Sequence, residues 1–171
     1  MMLKAVELLR LPLLYVAICA CTLFIGGCEK DQSWKTGSMA PQISVLDLND
    51  GTVKLSDFKG KVVVLRFWAT GCKDCVSGMP LLDGYRKKYS ENDLTVLGIN
   101  IGGSKELVSA FAKGLKISYP VLLDPAMMAS KKYLVRSVPT TFFIDRKGNA
   151  KQVIAGEVPQ KVFDKIVASM L

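Results

Sequence analysis

The stretch FWATGCKDC, Phe67–Cys75, joins the end of an apolar run to two cysteines that lie three residues apart. The residues Lys61–Trp68 are mostly β-branched or aromatic, which is typical of a strand buried on both faces. The pattern of residues 72–90 predicts a helix. Cys72 and Cys75 are therefore expected at a helix start, about one turn apart and directly after a central strand.

The position of each thiol predicts its part in the chemistry. Cys72, at the first position, faces the unpaired backbone N–H groups and the positive end of the helix dipole, which stabilise a thiolate and lower the thiol pKa. Cys75 lies one turn further in and is more shielded. We therefore predict that Cys72 attacks a disulfide and that Cys75 resolves the resulting mixed disulfide.

Two other interpretations of this spacing are half of a zinc site and a structural disulfide. Zinc normally takes four ligands, but the sequence has no His, and its other cysteines, Cys19, Cys21 and Cys28, belong to the N-terminal segment described below. A disulfide across so small a loop would stabilise the fold little through chain entropy. A redox-active pair is favoured because it follows a buried strand and opens a helix, and no metal is predicted.

Outward from the cysteines, strand and helix patterns alternate. The predicted elements are a hairpin at 43–48 and 52–55, strands at 94–101, 119–123, 140–145 and 150–155, and helices at 104–114, 125–133 and 159–171. Ser104 is the predicted N-cap of its helix, and the last helix is predicted to turn Val162, Phe163, Ile166 and Val167 inward. This order predicts an α/β fold with a mixed central sheet and helices on both faces, and a parallel, right-handed crossover between the first two buried strands.

The composition limits the class of function. The chain has 171 residues, enough for one ordinary domain, and 50% of them are apolar, which excludes a disordered chain. Lys and Arg number 23 against 15 Asp and Glu, but no run of five bases occurs, so the charge of +8 predicts no nucleic-acid partner. The absence of His excludes Ser-His and Cys-His catalytic pairs, His metal ligands and CxxCH haem attachment.

The N-terminus has the pattern of a targeting segment. Lys4 and Arg10 precede Leu13–Ile25, which carries no charge, as in the two regions of a secretory signal. Leu23–Cys28 ends in an aliphatic residue, two small residues and a cysteine. This ending resembles the bacterial lipobox, and the resemblance implies a lipid thioether on Cys28 with cleavage before it.

The predicted organisation is a signal peptide at 1–27, a lipid-anchored tether at 28–40 and a folded domain at 41–171. An uncleaved membrane anchor is the alternative, since Leu11–Gly27 is uncharged and reaches the lower limit for spanning a bilayer. Both interpretations place the rest of the chain outside the cytoplasm, on the periplasmic side, and tethered to a membrane.

Five segments in a fixed order resemble the thioredoxin superfamily and its TlpA/ResA branch. They are Ala40-Pro41, Leu55–Lys61, Phe67–Cys75 with Met79-Pro80, Pro120–Asp124 and Val138–Asp145, within roughly residues 39–171. The third resembles the active-site segment of the superfamily and the last its cis-proline segment. The resemblance implies a thioredoxin-like fold with an extra N-terminal hairpin and a central insertion. It also implies a membrane-tethered, extracytoplasmic thiol–disulfide oxidoreductase, a class that often supplies reductant in cytochrome c maturation.

The resemblance further implies site residues and partners. The expected catalytic residues are Cys72, Cys75 and Pro139, the last in cis, and the expected substrate contacts are Trp68, Gly71, Val138 and Thr140. The expected partners are proteins with a disulfide or dithiol, and an upstream electron donor in the membrane. No cofactor is expected besides the Cys72–Cys75 disulfide and the lipid on Cys28.

Three positions depart from the family pattern. Gly71 stands where the family usually has Trp, so we predict a more open approach to the thiols. Gly78 stands where ResA-like proteins carry an acid, so a proton-handling role cannot be carried over. Arg66 replaces a buried Asp or an Asn. Arg66 and Lys73 are candidates for tuning the redox potential of the cysteine pair. In the alternative for Arg66, the aliphatic part of its side chain lies along the sheet and its guanidinium reaches water.

Two further functions are alternatives to protein-disulfide reduction. Peroxiredoxins share the fold, but their peroxidatic cysteine lies in a Thr-x-x-Cys pattern, whereas Thr70 precedes Cys72 by two residues. Arg136 is the candidate for the Arg partner that a thiol peroxidase needs. The other alternative is a non-catalytic CxxC lipoprotein or metallochaperone.

Overall fold

Seven strands form one mixed sheet in the computed structural model, which describes residues 35–171. The strands are β1 (Ser44–Asp47), β2 (Thr52–Lys54), β3 (Val62–Trp68), β4 (Leu94–Ile101), β5 (Val121–Asp124), β6 (Thr140–Ile144) and β7 (Ala150–Ala155). The α-helices are α1 (Lys73–Arg86), α2 (Lys105–Gly114), α3 (Met128–Lys132) and α4 (Gln160–Ala168), and a 3₁₀ turn covers Leu55–Phe58. From edge to edge the strand order is β2-β1-β5-β4-β3-β6-β7.

Strand β3 lies at the centre of this fold. All of its residues are buried, and it pairs parallel to β4 and antiparallel to β6. The crossover through α1 is therefore parallel, as predicted. The predicted hairpin is β1–β2, which adds to the sheet beside β5. Because β3 ends at Trp68, α1 begins at that end of the sheet.

Apolar layers cover both faces of the sheet, because successive side chains of β3 point to opposite sides. On one face Trp68 belongs to a cluster that includes residues of α1, α2 and α4. On the other face the ring of Phe67 packs 5.5 Å from Tyr133 and 5.7 Å from Phe142, in a cluster that includes α3. The predicted α/β class, a thioredoxin-like mixed sheet with helices on both faces, is confirmed.

Two helices differ from their predictions in detail. Helix α1 ends at Arg86 rather than near Ser90, because the backbone there tightens into hydrogen bonds between residues three apart. In α4 the buried stripe runs through Phe163 and Val167, which are four residues apart. Val162 lies beside that stripe and is 38% exposed, so the prediction that it faces the core is wrong.

The folded domain begins before residue 41. The N–H of Gly37 donates to the Ala150 carbonyl at 2.6 Å, and the N–H of Ala40 donates to the Gly148 carbonyl at 2.9 Å. Part of the predicted tether is thus bonded to the turn between β6 and β7. Since β6 runs antiparallel to β3, this turn lies at the end of the sheet opposite the start of α1.

The predicted signal peptide, Cys28 and the first residues of the predicted tether lie outside the described residues. Within residues 35–171, no helix has both the length and the apolar character needed to cross a bilayer.

Candidate active site

The N-terminus of α1 brings the two cysteines together. Cys72 is the N-cap residue: its Sγ accepts a hydrogen bond from the Cys75 N–H at 3.1 Å, and its carbonyl accepts one from the Val76 N–H at 3.1 Å. The two cysteines form a disulfide with their Cα atoms 5.2 Å apart. The predicted pair at a helix start is therefore confirmed.

The two sulfurs differ in their access to solvent. Cys72 is half-buried, whereas Cys75 is fully buried against the core. A partner protein can reach a sulfur only where it is exposed, so Cys72 is the one suited to attack. In the reduced state the Cys75 N–H and the positive end of α1 both favour the Cys72 thiolate over the thiol.

The segment before β6 borders the disulfide. The Val138 carbonyl oxygen lies 3.7 Å from the Cys72 Sγ, and the Val138–Pro139 peptide bond is cis. The Pro139 carbonyl accepts a hydrogen bond from the Gly156 N–H at 2.7 Å, which connects this segment to the loop after β7. The structure thus places Pro139 beside the cysteines, where the resemblance put it.

The other predicted site residues divide into exposed and buried ones. Gly71 and Lys73 are exposed, and a Cβ added at Gly71 would meet no atom within 4 Å, so the approach to the disulfide is open on this side. Trp68 and Thr140 are buried, and the Thr140 hydroxyl donates to the Ser137 carbonyl at 2.7 Å. Direct contact with a substrate does not fit these two side chains, because Trp68 is 0% and Thr140 6% exposed.

Arg66 lies in the middle of β3, on the face that α1 covers. Its side chain is 1% exposed, and its Nη2 donates to the Glu157 carboxylate. The alternative in which the head of Arg66 reaches water is therefore wrong. Beside it in the sheet, Gly98 leaves room for the ring of Tyr119, and burial raises the pKa of that phenol. The effect of Arg66 on the thiols remains a prediction.

Glu157, in the loop between β7 and α4, is the residue that sequence reasoning missed. A charged side chain in a strand buried on both faces needs a counter-ion. The presence of Arg66 in such a strand therefore indicates that a carboxylate lies near it. The sequence does not indicate which acid, because the two residues are 91 positions apart. Only the folded chain brings them together.

The described residues contain no group of three or more His, Cys, Asp or Glu side chains arranged to hold a metal ion. The reactive groups of the site are the two sulfurs, the start of a helix and one backbone carbonyl. This set performs two-electron thiol–disulfide exchange.

The chain is similar to known thiol–disulfide oxidoreductases. Residues 36–153 match the model of the AhpC/TSA family. The chain is 34% identical to the thiol-disulfide oxidoreductase ResA of Geobacillus kaustophilus over 78% of this chain and 77% of that protein. It is 32% identical to ResA of Bacillus subtilis over 90% and 87% of the two chains.

A solved structure supports the same relationship. The thiol:disulfide interchange protein DsbE of Chlorobium tepidum superposes with a TM-score of 0.75 at 28% identity, covering 81% of this chain and 99% of that one. The chain therefore belongs to the AhpC/TSA family, and it is a ResA-like thiol–disulfide oxidoreductase that carries a Cys72–Cys75 disulfide in CxxC spacing.

Proposed function

We propose that this chain reduces disulfides of extracytoplasmic proteins while a lipid on Cys28 holds it at a membrane. The observation that carries the activity is the half-buried Cys72 at the start of α1, with Cys75 buried behind it. The resemblance to the TlpA/ResA branch implies a part in cytochrome c maturation. We infer the corresponding substrate class here, namely a Cys-x-x-Cys disulfide in a cytochrome c precursor.

The reaction moves two electrons from the cysteine pair to the partner. The Cys72 thiolate attacks one sulfur of the partner's disulfide, forming a mixed disulfide and releasing the other sulfur as a thiolate that takes up a proton. Cys75 then loses its proton and attacks the Cys72 sulfur. The Cys72–Cys75 bond forms, and the partner leaves as a dithiol after a second protonation. A membrane donor of two electrons must then restore the Cys72–Cys75 dithiol.

The surface around Cys72 suits an extended peptide. The Val138 carbonyl, 3.7 Å from the Cys72 sulfur, can accept an N–H from the partner's backbone. Next to Gly71 lies an open hollow with apolar walls, formed by Val76, Pro80, Phe111 and Leu115. An apolar side chain close to the partner's cysteine would fit this hollow.

The activity test uses the reduced full-length chain in detergent. We expect it to reduce insulin and an oxidised Cys-x-x-Cys-His peptide, and to consume peroxide no faster than a Cys72→Ser variant. Peroxide consumption without disulfide reduction would instead establish a thiol peroxidase. Tight zinc binding with neither activity would establish a metal-binding lipoprotein.

The anchoring proposal is supported by where the chain enters the domain. Residues 37–40 are bonded to the turn between β6 and β7, at the end of the sheet opposite α1. A tether that enters there joins the domain at the end of the sheet opposite the disulfide. The lipobox-like segment at Leu23–Cys28 supplies the chemistry of attachment.

For the anchor, we expect intact-mass analysis of membrane-extracted protein to show loss of residues 1–27 and acyl groups on Cys28. A Cys28→Ser variant should retain residues 1–27 and carry no lipid. A processed, soluble protein with an unmodified Cys28 would contradict the anchoring proposal while leaving the redox activity in place.

A further inference from the structure

An ion pair between a buried arginine and a partly exposed glutamate lies behind the helix that carries the cysteines. β3 directs Arg66 to the same face as Trp68, which is the face that α1 covers. A guanidinium buried to this extent costs several kcal/mol unless a carboxylate compensates it. That carboxylate comes from Glu157, whose side chain is 38% exposed and reaches in from the loop after β7.

The carboxylate of Glu157 occupies space that α1 leaves free at Gly78. Gly78 follows Cys75 by three residues, so both lie on the same buried face of the helix. A Cβ added at Gly78 would overlap all three atoms of the Glu157 carboxylate. In the same loop, the Gly156 N–H is bonded to the Pro139 carbonyl. Glu157 is thus held between the cysteine helix and the cis-proline segment.

The ionisable groups around this pair set the local charge. Arg66 and Glu157 face the underside of α1, and the phenol of Tyr119 lies on the Arg66 side, where the charges of Arg66, Asp83 and Glu157 all influence it. Lys73 and Asp74, on the first turn of α1, are exposed and have opposite charges. On the buried side of α1, the Arg66–Glu157 pair therefore lies within about one helical turn of Cys75, at Gly78.

The two charges of the pair act on the thiols in opposite directions. The Arg66 guanidinium favours a thiolate, and the Glu157 carboxylate, one helical turn from Cys75, disfavours it. At separations of several ångströms inside a protein, removal of one such charge changes an ionisation equilibrium by about tenfold or more. Together the two charges largely cancel.

We propose that Glu157 is a positioning residue which, seated against Gly78, offsets the buried charge of Arg66 and so sets how readily the Cys72–Cys75 disulfide is reduced. This inference rests on the proposed redox function of the pair. Without the Glu157 carboxylate, the positive charge of Arg66 would no longer be offset. It would then stabilise the thiolate form of the cysteine pair, and the Cys72–Cys75 disulfide would be easier to reduce.

The test compares Glu157→Gln with Glu91→Gln in the full-length chain. Glu91 is a matched control, since it pairs with an arginine, Arg86, at the other end of α1, and its side chain is 81% exposed. For Glu157→Gln we expect about a tenfold shift of the glutathione equilibrium toward the dithiol, which corresponds to about 30 mV for a two-electron couple. The midpoint of the ultraviolet thiolate titration should fall in the same variant.

Two further variants test the mechanism. The double variant Arg66→Met, Glu157→Gln lacks both charges. Its equilibrium with glutathione should therefore return toward that of the parent protein. Gly78→Ala should displace the carboxylate and shift the equilibrium toward the dithiol, whereas Gly84→Ala, in the same helix and with no atom within 4 Å of the added Cβ, should not.

Each result decides between the two proposals. If the parent reduces insulin but Glu157→Gln stays within twofold of Glu91→Gln, the role of Glu157 is refuted and the proposed function stands. If Gly78→Ala behaves like Gly84→Ala, the seating of Glu157 against Gly78 is refuted. If the parent pair never equilibrates with glutathione, both proposals fail.

Discussion

Cys72→Ser is expected to lower the rate of disulfide reduction by on the order of 10³-fold or more, because no other sulfur at the site can begin the exchange. The structure supports this through access: Cys72 is half-buried beside the Val138 carbonyl, while Cys75 is fully buried. A partner protein can therefore form its mixed disulfide only with Cys72.

Cys75→Ser should have a different effect. Cys72 can still attack, but nothing displaces the partner from it, so covalent complexes should accumulate. The measurement is non-reducing electrophoresis of membrane extracts followed by mass spectrometry of the cross-linked peptides. The matched control is the double variant Cys72→Ser, Cys75→Ser, which should trap nothing. Equal trapping by the two single variants would refute the assignment of roles.

The active-site end of the fold could be predicted because its signals are local. The continuous β-branched run of β3 identifies a buried strand, and the cysteines follow it directly. Ser104 was likewise predictable as the N-cap of α2, and its Oγ accepts the Leu107 N–H at 3.4 Å. In both places the residues that determine the structure lie within one or two turns of each other.

Contacts between distant parts of the chain could not be predicted in the same way. The pairing of Arg66 with Glu157 depends on how the loop after β7 returns over α1. The hydrogen bonds between residues 37–40 and the turn between β6 and β7 join segments more than 100 residues apart. The polar sequence before residue 41 therefore predicted a tether and gave no sign of these bonds. Trp68 has an aromatic side chain next to the cysteines, yet the pleat of β3 directs it into the core.

The second half of α1 is fixed by a buried carboxylate, and loss of this carboxylate should lower the stability of the fold. Asp83 is 4% exposed, and it accepts hydrogen bonds from the Ser118 hydroxyl at 2.6 Å and the Ser118 N–H at 3.3 Å. Lys87 Nζ, on a largely exposed side chain, also lies 2.6 Å from the same carboxylate. These bonds tie the cysteine helix to the loop before β5.

We expect Asp83→Ala to lower the free energy of unfolding by about 1.5–3 kcal/mol, since the buried Asp83 carboxylate no longer accepts the two hydrogen bonds from the exposed Ser118. Urea unfolding at pH 7 measures this change. Asp74→Ala is the matched control, because Asp74 is an exposed acid on the same helix. Its effect should stay within about 0.5 kcal/mol.

The contribution of Asp83 should also depend on pH. Burial raises the pKa of this carboxyl, but hydrogen bonds from Lys87 and Ser118 outweigh burial, so the pKa lies below its ordinary value. A carboxyl with a depressed folded pKa stabilises the fold fully above its unfolded pKa of about 3.9 and loses that contribution as the pH falls through the folded value. The difference in unfolding free energy between the parent and Asp83→Asn should therefore be constant near neutral pH and shrink below about pH 4. If it were the same at pH 7 and pH 2.5, ionised Asp83 would not be what fixes α1.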